Sequence, residues 1–550
     1  MECRRQWRGS CHGAVILALA ALSLLASPLA GFALEADDWR LPADNHVAEK
    51  MPMALVHPRP EASDWAYAKN AHPGLRWEIP VVVQGGAWPF QYSIADNGGA
   101  SGLTIGAELE RTREAGFIVH RVTPDYGVLS WDTPVEGEYD ILVRVRDQSD
   151  NTLDVSVSLT VGANGWVFVD ADHGDDANGD GSLNSPFRSV QRIHDGGADF
   201  ADHRVYLSGV VAMDGNTKSG NLRIHRSQSP NTPVVWVGWP GRQAVLEAYQ
   251  GKISLNAPDF YLANLEHRHA ADFYQDDGSF IHMISAWSNT DRLTFHDVNF
   301  SRFHGNPVNV DWGNSSVIMF TSLSTPRQHV AVVNNRLSGD NGIFTSAYTL
   351  RHSVFEKNRA IDANFVTGEA STWAIFWIKR DNEFMTLRAN EFWDNNSWGT
   401  PGNLSAAMGM DAARNIEFAY NTIHTPYDAG NDRRGAIKLF TNSSQSAYSW
   451  TADTPVWLYR NSLTHRLNYE GGNLVNMPDN NVITERNVLA PRLWPEHRFL
   501  LNIENLDQAE FFDQQMKLTG SARNDYLGRY GAELAVIDED AIFSDRFQAL

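Results

Sequence analysis

The sequence predicts an all-β protein whose central body is a parallel β-helix, and three observations support this prediction. A short pattern of apolar and polar positions recurs along the second half of the chain. The spacing between its copies is uneven, and strands with strict two-residue alternation precede it. With 550 residues, of which 43% are hydrophobic, the chain is long enough for several domains and apolar enough for a large core.

Each copy of the pattern has the form apolar-x-apolar-x-x-Asn-x-apolar and predicts a strand, a tight bend and a second strand. We expect the bend asparagine to adopt left-handed backbone and its amide to bond the equivalent amide one coil away. Uneven spacing predicts coils with similar cores and loops of different length, unlike a propeller or a leucine-rich solenoid. An ordinary sandwich with several Asn turns is disfavoured because all copies share one register. The bend positions are Val298, Asn335, Ser353, Asn390, Asn421, Asn461 and Asn487.

Residues 75–163 predict an N-terminal β-sandwich. Apolar residues occupy every second position of 139–145 and of 155–161, which is the signature of strands with one buried face. Together with the Gly- and aromatic-rich stretch at 85–94 and with 128–134, these strands resemble an immunoglobulin-like, cadherin-like module of bacterial surface proteins. The resemblance implies a spacer without chemistry of its own.

A second resemblance begins with Val-Phe-Val-Asp at 167–170. A loop rich in Gly, Asp and Asn follows at 174–182, and Ser-Pro-Phe-Arg-Ser-Val-Gln at 185–191 opens a predicted short helix. Together these segments look like the beginning of right-handed β-helices of the pectate lyase superfamily, in which a short helix caps the open first coil. The resemblance implies a right-handed parallel β-helix, a solenoid, that handles polysaccharide.

The loop also contains Asp176, Asn178 and Asp180, which are spaced as in the first half of a calcium-binding loop. Phe187 stands where the glutamate at position twelve of such a loop is expected. Two interpretations remain open: a Ca²⁺ site, or acidic turn residues that satisfy their own backbone. No other cofactor is predicted.

The chain begins with the features of a secretory signal peptide: a basic start, an apolar run at 14–25 and a small-x-small site ending at Ala33. Cys3 and Cys11 are the two cysteines, so the mature chain would depend on packing rather than disulfides. We expect a secreted protein, extracellular or periplasmic. The predicted division is a signal peptide at 1–33, an N-terminal extension at 34–74, the sandwich at 75–163, the β-helix at 164–495, and a closing segment and tail at 496–550.

The formal net charge of −21 bears on the partners of the protein. A field of this sign repels nucleic acid and anionic membranes, so neither is a predicted partner. The predicted partner is a polysaccharide, and the protein is expected to be a monomer without a membrane span after signal cleavage. An acidic polysaccharide would also be repelled unless a local basic groove or a bound cation reverses the sign.

A second strand series precedes most copies of the pattern, at 280–287, 373–381, 405–414, 435–441 and 473–477, and is expected to form the substrate-binding sheet. Ionisable residues on these strands and on nearby turns are the candidate catalytic residues: Lys379, Arg380, Lys438, Asp411 and His304. The candidate substrate-binding residues are Arg434, Arg414, Trp377, Trp373 and Trp398. Arginine pairs with carboxylates and indole rings stack on sugars. The competing interpretations are solvated surface charge for each cation and core filling for each tryptophan.

The predicted reaction is cleavage of a uronate-containing polysaccharide by β-elimination. A lyase needs a base near the C5 proton, neutralisation of the sugar carboxylate, and a proton for the leaving oxygen. Lys379 with Arg380 is the first pair to test as the base, and Lys438 is the next. Two alternatives remain open: a non-catalytic glycan-binding or adhesin-type surface protein, and a glycoside hydrolase, for which no paired-acid motif stands out.

Overall fold

The protein is all-β in the computed structural model, as the sequence predicts. In the described residues the helices are one α-helix, Val190–Gly196, and one 3-10 helix, Tyr67–Lys69. Within this part of the chain, no helix has the length and apolar character needed to cross a bilayer. The structure describes residues 51–106, 110–114, 117–121, 127–196, 200–213, 222–225, 233–249, 252–271, 282–287, 290–302, 316–321, 326–338, 343–363, 374–379, 382–394, 406–411, 414–424, 435–440, 456–463, 467–470, 482–485, 488–489 and 534–537.

Small, mainly antiparallel sheets precede the parallel region. Buried side chains alternate with exposed ones in the last strand before that region, which confirms the predicted two-residue alternation. One sheet contains, in order, Asn70–Ala71, Thr152–Val161, Gly137–Arg146 and Gln91–Asp96, and a second contains Trp77–Pro80, Val128–Trp131 and Leu103–Ile105. Two more join Ala54–His57 to Val82–Gln84, and Leu534–Ile537 to Phe117–Arg121 and Glu110–Glu114.

A long parallel sheet of 19 strands, hereafter the long sheet, forms most of the remaining structure. Most of its side chains that contact the core are aliphatic or aromatic, which suits a pleated and fully buried surface. Its strands are, in order, Trp166–Asp170, Arg204–Ala212, Val235–Gly238, Ala244–Ala248, Tyr261–His269, Thr294–Ser301, Arg327–Gln328, Ala331–Val333, Arg336–Ser338, Leu350–Glu356, Arg359–Ala363, Glu383–Arg388, Glu391–Asp394, Arg414–Ala419, Thr422–His424, Val456–Tyr459, Ser462–Leu463, Val482–Glu485 and Val488–Leu489.

A second parallel sheet of nine strands, hereafter the second sheet, is interleaved with the long sheet along the chain. Successive coils add strands to both sheets, and each strand pairs in parallel with its equivalent in the next coil. This arrangement is consistent with a β-helix. The nine strands are, in order, Leu222–His225, Ile253–Asn256, His282–Ala286, Ser316–Phe320, Ile343–Tyr348, Ala374–Lys379, Ala406–Asp411, Gly435–Phe440 and Leu467–Glu470.

Buried asparagines connect successive coils of the long sheet, as the repeat predicts. Nδ2 of Asn335 donates to Oδ1 of Asn358 at 3.0 Å, and Asn358 donates to Asn390 at 3.0 Å. The ladder continues from Asn390 to Asn421 at 2.9 Å and from Asn421 to Asn461 at 3.1 Å. Each accepting oxygen also receives the backbone N–H of the asparagine one coil before it. The amides therefore satisfy one another in an interior that excludes water.

Two details of the predicted ladder are wrong. Asn358 is the ladder member of its coil, and Ser353 instead pairs with Met385 at the first position of the pattern. Left-handed backbone belongs to the residue before each ladder asparagine, for example Ala389 with φ of 53°. The strained bend thus precedes the asparagine and leaves its amide in the interior. The last predicted member, Asn487, lies outside the described residues.

The N-terminal strands cover part of the outer face of the long sheet. Val56 and Val82 form a separate apolar cluster with Ala331, Val333 and Val354. The first two residues belong to the N-terminal pair of strands, and the other three belong to the long sheet. One face of the long sheet is therefore closed to solvent along these coils.

A buried polar network joins the same two regions. Arg388 has a fully buried side chain and donates to Oε2 of Glu356 from Nε at 3.0 Å and from Nη2 at 2.9 Å. Its guanidinium also donates to the backbone carbonyl oxygens of Val83 and Gly85. In return, the backbone N–H of Gly85 donates to Oγ1 of Thr386 at 3.1 Å. The N-terminal region is thus docked by specific hydrogen bonds as well as by apolar contact.

Candidate functional site

Three of the candidate catalytic residues lie on neighbouring strands of the second sheet. Lys379 and Asp411 are the last residues of the sixth and seventh strands, and Lys438 lies within the eighth. Adjacent strands are about 4.8 Å apart, so the backbones at these positions are close in space. The parallel register, rather than the local sequence, brings them together.

One row of the second sheet contains Trp377, Gly409 and Lys438. Trp377 pairs with Gly409, and Gly409 pairs with Lys438. On the first of these strands, Phe376 and Ile378 are buried in the core while Trp377 between them is partly exposed. Because alternate residues face opposite sides of a sheet, the side chain of Trp377 lies on the side away from the core.

Lys379 and Asp411 occupy neighbouring register positions at the ends of their strands. Ile378 pairs with Met410, and Lys379 and Asp411 directly follow that pair. Lys379 itself pairs with Tyr348 on the other side. The predicted cation and the predicted carboxylate are therefore adjacent in the backbone register of the second sheet.

Arg414 is not part of the second sheet. The predicted strand at 405–414 ends at Asp411, and Arg414 begins the next strand of the long sheet. Its guanidinium pairs with Glu383 in two ways, Nε to Oε1 at 2.9 Å and Nη2 to Oε2 at 3.0 Å. Glu383 is its register partner on the neighbouring strand, so this pairing joins two coils.

The other predicted positions around this sheet lie outside the described residues. The predicted strand at 473–477 is also outside them, and the last described strand of the second sheet is Leu467–Glu470. Four strands of the predicted series are present, at His282–Ala286, Ala374–Lys379, Ala406–Asp411 and Gly435–Phe440. The candidate residues outside the described ranges are Arg380, His304, Arg434, Trp373 and Trp398.

The side chains of the predicted calcium loop contact the protein's own donors. Both oxygens of Asp176 are engaged, Oδ1 by the backbone N–H groups of Arg188 and Ser189 at 2.8 and 3.0 Å, and Oδ2 by the Ser189 hydroxyl at 2.7 Å. Asn178 donates to Asp175. These are the contacts of the turn alternative, and the described residues contain no cluster of three His, Cys, Asp or Glu that could hold a metal ion.

The third member, Asp180, accepts the backbone N–H of Ser182 at 2.9 Å. The hydrogen bond with the Ser182 side chain lowers the pKa of Asp180 most, and this backbone hydrogen bond lowers it further. The donor set therefore does not fit a Ca²⁺ ion without breaking the turn.

A cleft that the sequence interpretation missed opens beside the first coils. It has a volume of about 490 Å³ and is partly open to solvent. Its walls come from the end of the first strand of the long sheet, from the segment just after the Gly/Asp/Asn-rich loop, from the second strand, and from the turn after the third strand. The lining residues are Asp170, Asp172, His173, Leu183, Asn184, Pro186, Ser208, Gly209, Trp239, Arg242 and Gln243.

A buried carboxylate holds an arginine at the rim of this cleft. Asp170 is 3% exposed, and its Oδ2 accepts a hydrogen bond from Nη1 of Arg242 at 2.7 Å. Its Oδ1 accepts the backbone N–H groups of Asp172 and His173 at 3.1 and 3.2 Å. Burial alone would raise the pKa of Asp170, but the two backbone hydrogen bonds and the side chain of His173 together outweigh burial, and the pKa lies below its ordinary value. Asp170 is thus an ionised anchor for the guanidinium.

A tight turn directs Arg242 back over an aromatic ring. The backbone N–H of Arg242 donates to the carbonyl of Trp239 at 3.0 Å, and Gly241 has φ of 76°. With Pro240 before the glycine, this is the pattern of a type II turn. The guanidinium carbon lies 3.8 Å from the centre of the indole ring, a cation–π contact. The Trp-Pro-Gly-Arg sequence at 239–242 is the local signal that could have revealed this position.

No family model matches the sequence, and no curated protein is significantly similar to it.

Proposed function

We propose that this chain is an exported, carbohydrate-active protein that cleaves a uronate-containing polysaccharide by β-elimination. In this proposal the parallel sheets wind as a right-handed β-helix of the pectate lyase superfamily. The order of a first strand, a Gly/Asp/Asn-rich loop and the short helix Val190–Gly196 supports the assignment. Val190 and Ile193 of that helix are buried against the core, as a cap over the first coil requires.

The observation that carries the proposal is the grouping of Lys379, Asp411 and Lys438 on three consecutive strands of the second sheet. Positions distant in the sequence meet within a few strand spacings, about 10 Å for three strands. A long polymer lying across the sheet would meet all three positions. Titratable residues grouped on one sheet are a stronger sign of chemistry than any one of them alone.

The proposed roles follow from the three requirements of β-elimination. Lys379 acts as the base that removes the C5 proton, and the electrons of that C–H bond form the C4–C5 double bond as the C4–O bond breaks. Lys438 neutralises the sugar carboxylate, so that charge developing next to it is stabilised. Asp411 is the third group able to move a proton, which the leaving oxygen needs.

The negative overall charge of the protein makes a local cationic site necessary for binding an acidic polymer. The chain as a whole carries a formal charge of −21, which opposes the approach of an acidic polymer. Binding therefore requires cations concentrated where the polymer lies. Lys379 and Lys438 supply two of them within the described second sheet, and we expect activity to fall as salt screens this attraction.

We also propose that the N-terminal antiparallel sheets form an immunoglobulin-like module. The apolar residues of its two larger sheets share one core, with Trp77 and Leu129 on one sheet and Val143 and Val157 on the other. The module is docked on the long sheet by Arg388, so we assign it a role in covering that sheet and no catalytic role.

The test is to incubate the mature protein with a panel of uronate polymers and follow the ultraviolet absorbance of the unsaturated product. We expect one polymer to yield new absorbance that Lys379→Ala and Lys438→Ala abolish. Lys252→Ala is the matched control, because this lysine directly precedes another strand of the second sheet. If no polymer gives unsaturated ends but one is retained on a column of immobilised protein, the non-catalytic glycan-binding alternative replaces the lyase. New reducing ends without unsaturation would instead indicate a hydrolase.

A further inference from the structure

We propose that the cleft beside the first coils, lined by Arg242, Asp172, Asn184 and Gln243, binds a neutral saccharide. This site is separate from the second sheet and does not depend on the lyase activity. Its volume of about 490 Å³ falls in the range typical of small-molecule sites, about 300–1,000 Å³.

The guanidinium of Arg242 is held in place before any ligand arrives. Asp170 fixes one end of it by a hydrogen bond of 2.7 Å, and the ring of Trp239 fixes its plane. The side chain remains 45% exposed and lines the cleft, so a ligand in the cleft can reach its remaining donors. A side chain ordered in advance loses little entropy when it binds a ligand.

Acceptors and amides complete the polar lining. Asp172, Asn184 and Gln243 are exposed, and their side chains make no hydrogen bond to the described part of the chain. A carboxylate only accepts, a guanidinium only donates, and an amide does both. Such a mixture suits neighbouring hydroxyl groups, each of which donates one hydrogen bond and accepts two.

The charges of the cleft favour a neutral ligand over an acidic one. The positive charge of Arg242 is already balanced by Asp170, and Asp172 adds a second carboxylate at the same cleft. An anionic ligand would therefore face a net negative site on a protein that is itself strongly negative. Hydroxyl groups carry no such cost.

The apolar part of the lining fits the other side of a sugar ring. Leu183 is 37% exposed, and both Leu183 and Pro186 line the cleft. These side chains offer a hydrophobic surface to the C–H face of a pyranose, and the polar lining residues offer hydrogen bonds to its hydroxyls. Gly209 lines the cleft with φ of 75°, and a side chain added there would approach the carboxylate of Asp172 at 3.0 Å.

Isothermal titration of the full mature protein with neutral trisaccharides tests the proposal. Cellotriose, xylotriose and mannotriose are the probes, with trigalacturonate as the acidic counterpart. We expect at least one neutral trisaccharide to bind and its Kd to rise about tenfold in both Asp172→Ala and Arg242→Ala, as for the loss of hydrogen bonds to charged groups. The matched controls are Glu136→Ala and Arg188→Ala, which remove exposed charges outside the cleft and should leave the Kd unchanged.

Asp172→Ala protects the test from misfolding, because this exposed side chain supports no other part of the described structure. Neutral binding that neither variant weakens would overturn the proposal, as would no neutral binding at any concentration used. Preference for trigalacturonate, lost in Arg242→Ala, would overturn the neutral class. Lys379→Ala should abolish the proposed lyase activity and leave this binding intact, so the two proposals fail independently.

Discussion

Two arginine–carboxylate pairs in this protein have the same chemistry and opposite surroundings. The pair between Arg388 and Glu356 is sealed, with side chains 0% and 6% exposed, and backbone carbonyls of the N-terminal region take the remaining donors of the arginine. In the pair between Arg242 and Asp170 the aspartate side chain is also buried, with 4% of its surface exposed, but the arginine side chain is 45% exposed.

The difference shows how burial decides the use of an ion pair. A fully enclosed arginine must satisfy all its donors within the protein, because unpaired buried charge is costly. A half-open arginine keeps donors for a ligand, while its carboxylate partner fixes its position. The first pair therefore holds the N-terminal region on the long sheet. The second pair holds an exposed guanidinium in a fixed position, where it can bind a ligand.

The largest expected effect comes from breaking the sealed pair. Arg388→Met leaves Glu356 buried without its partner and removes the hydrogen bonds to Val83 and Gly85, so we expect a loss of about 3–5 kcal/mol in the free energy of unfolding. Denaturant unfolding of the full chain measures it. The double variant Arg388→Met with Glu356→Leu should recover part of the loss, since no charge then remains buried. An unchanged unfolding midpoint in the single variant would contradict the assigned role.

Acid should weaken the same docked face through two buried histidines. Burial lowers the pKa of His57, on the N-terminal strand, to about 4 and that of His296, on the long sheet, to about 3. At His57 the hydrogen bond to the carbonyl of Pro80 and the charge of Asp259 partly oppose the effect of burial, whereas at His296 the charges of His57 and Lys357 add to it. The folded state then binds fewer protons than the unfolded state below pH 6.5.

The sign of the pH effect follows from this difference in proton binding. The contribution of neutral His57 to the free energy of unfolding is fully present above pH 6.5. It is lost as the pH falls through about 4, and the total loss is about 3 kcal/mol. Unfolding curves at several pH values measure the slope, and His57→Phe, which keeps an aromatic ring beside Tyr261, should flatten it. Equal slopes in the two proteins between pH 6.5 and 4 would show that His57 is not responsible.

Much of the fold could be predicted from the sequence because each member of the asparagine ladder belongs to a short pattern of neighbouring residues. The spacing from Met385 and Leu387 to Asn390 is visible in one strand–bend–strand segment, and the coil above repeats it. The copy at Asn358 was misplaced because Ser353 stands where the pattern has an apolar residue. A polar residue at that position hides the copy from a pattern based on hydrophobicity.

The candidate site was less predictable because it depends on register between distant segments. Lys379 and Asp411 could be chosen from their strands, but only the parallel pairing shows that their positions are adjacent. The cleft is a stronger example, since Asp170 and Arg242 are separated by 72 residues. No local period connects a strand end to a turn two strands later.

The same substitution, asparagine to alanine, can be compared at a buried ladder position and at an exposed position by its effect on the free energy of unfolding. Asn390→Ala removes an amide that accepts from Asn358 and donates to Phe355 and Asn421, which leaves buried groups unpaired. We expect a loss of about 2 kcal/mol in unfolding free energy. Asn97→Ala, in an exposed turn, is the control and should change stability by much less. Equal losses in both variants would contradict a structural ladder.

The smallest expected effect comes from the half-exposed pair of Arg242 and Asp170. In Arg242→Ala the carboxylate of Asp170 keeps its two backbone N–H donors, and water can reach the space left by the exposed guanidinium. We therefore expect a loss of about 1 kcal/mol or less in unfolding free energy, as for other solvent-exposed ion pairs. The measurement is the same denaturant unfolding used for Arg388→Met. A loss as large as that of Arg388→Met would mean that Arg242 is a structural element of the first coils, and its donors would then not be available to a ligand.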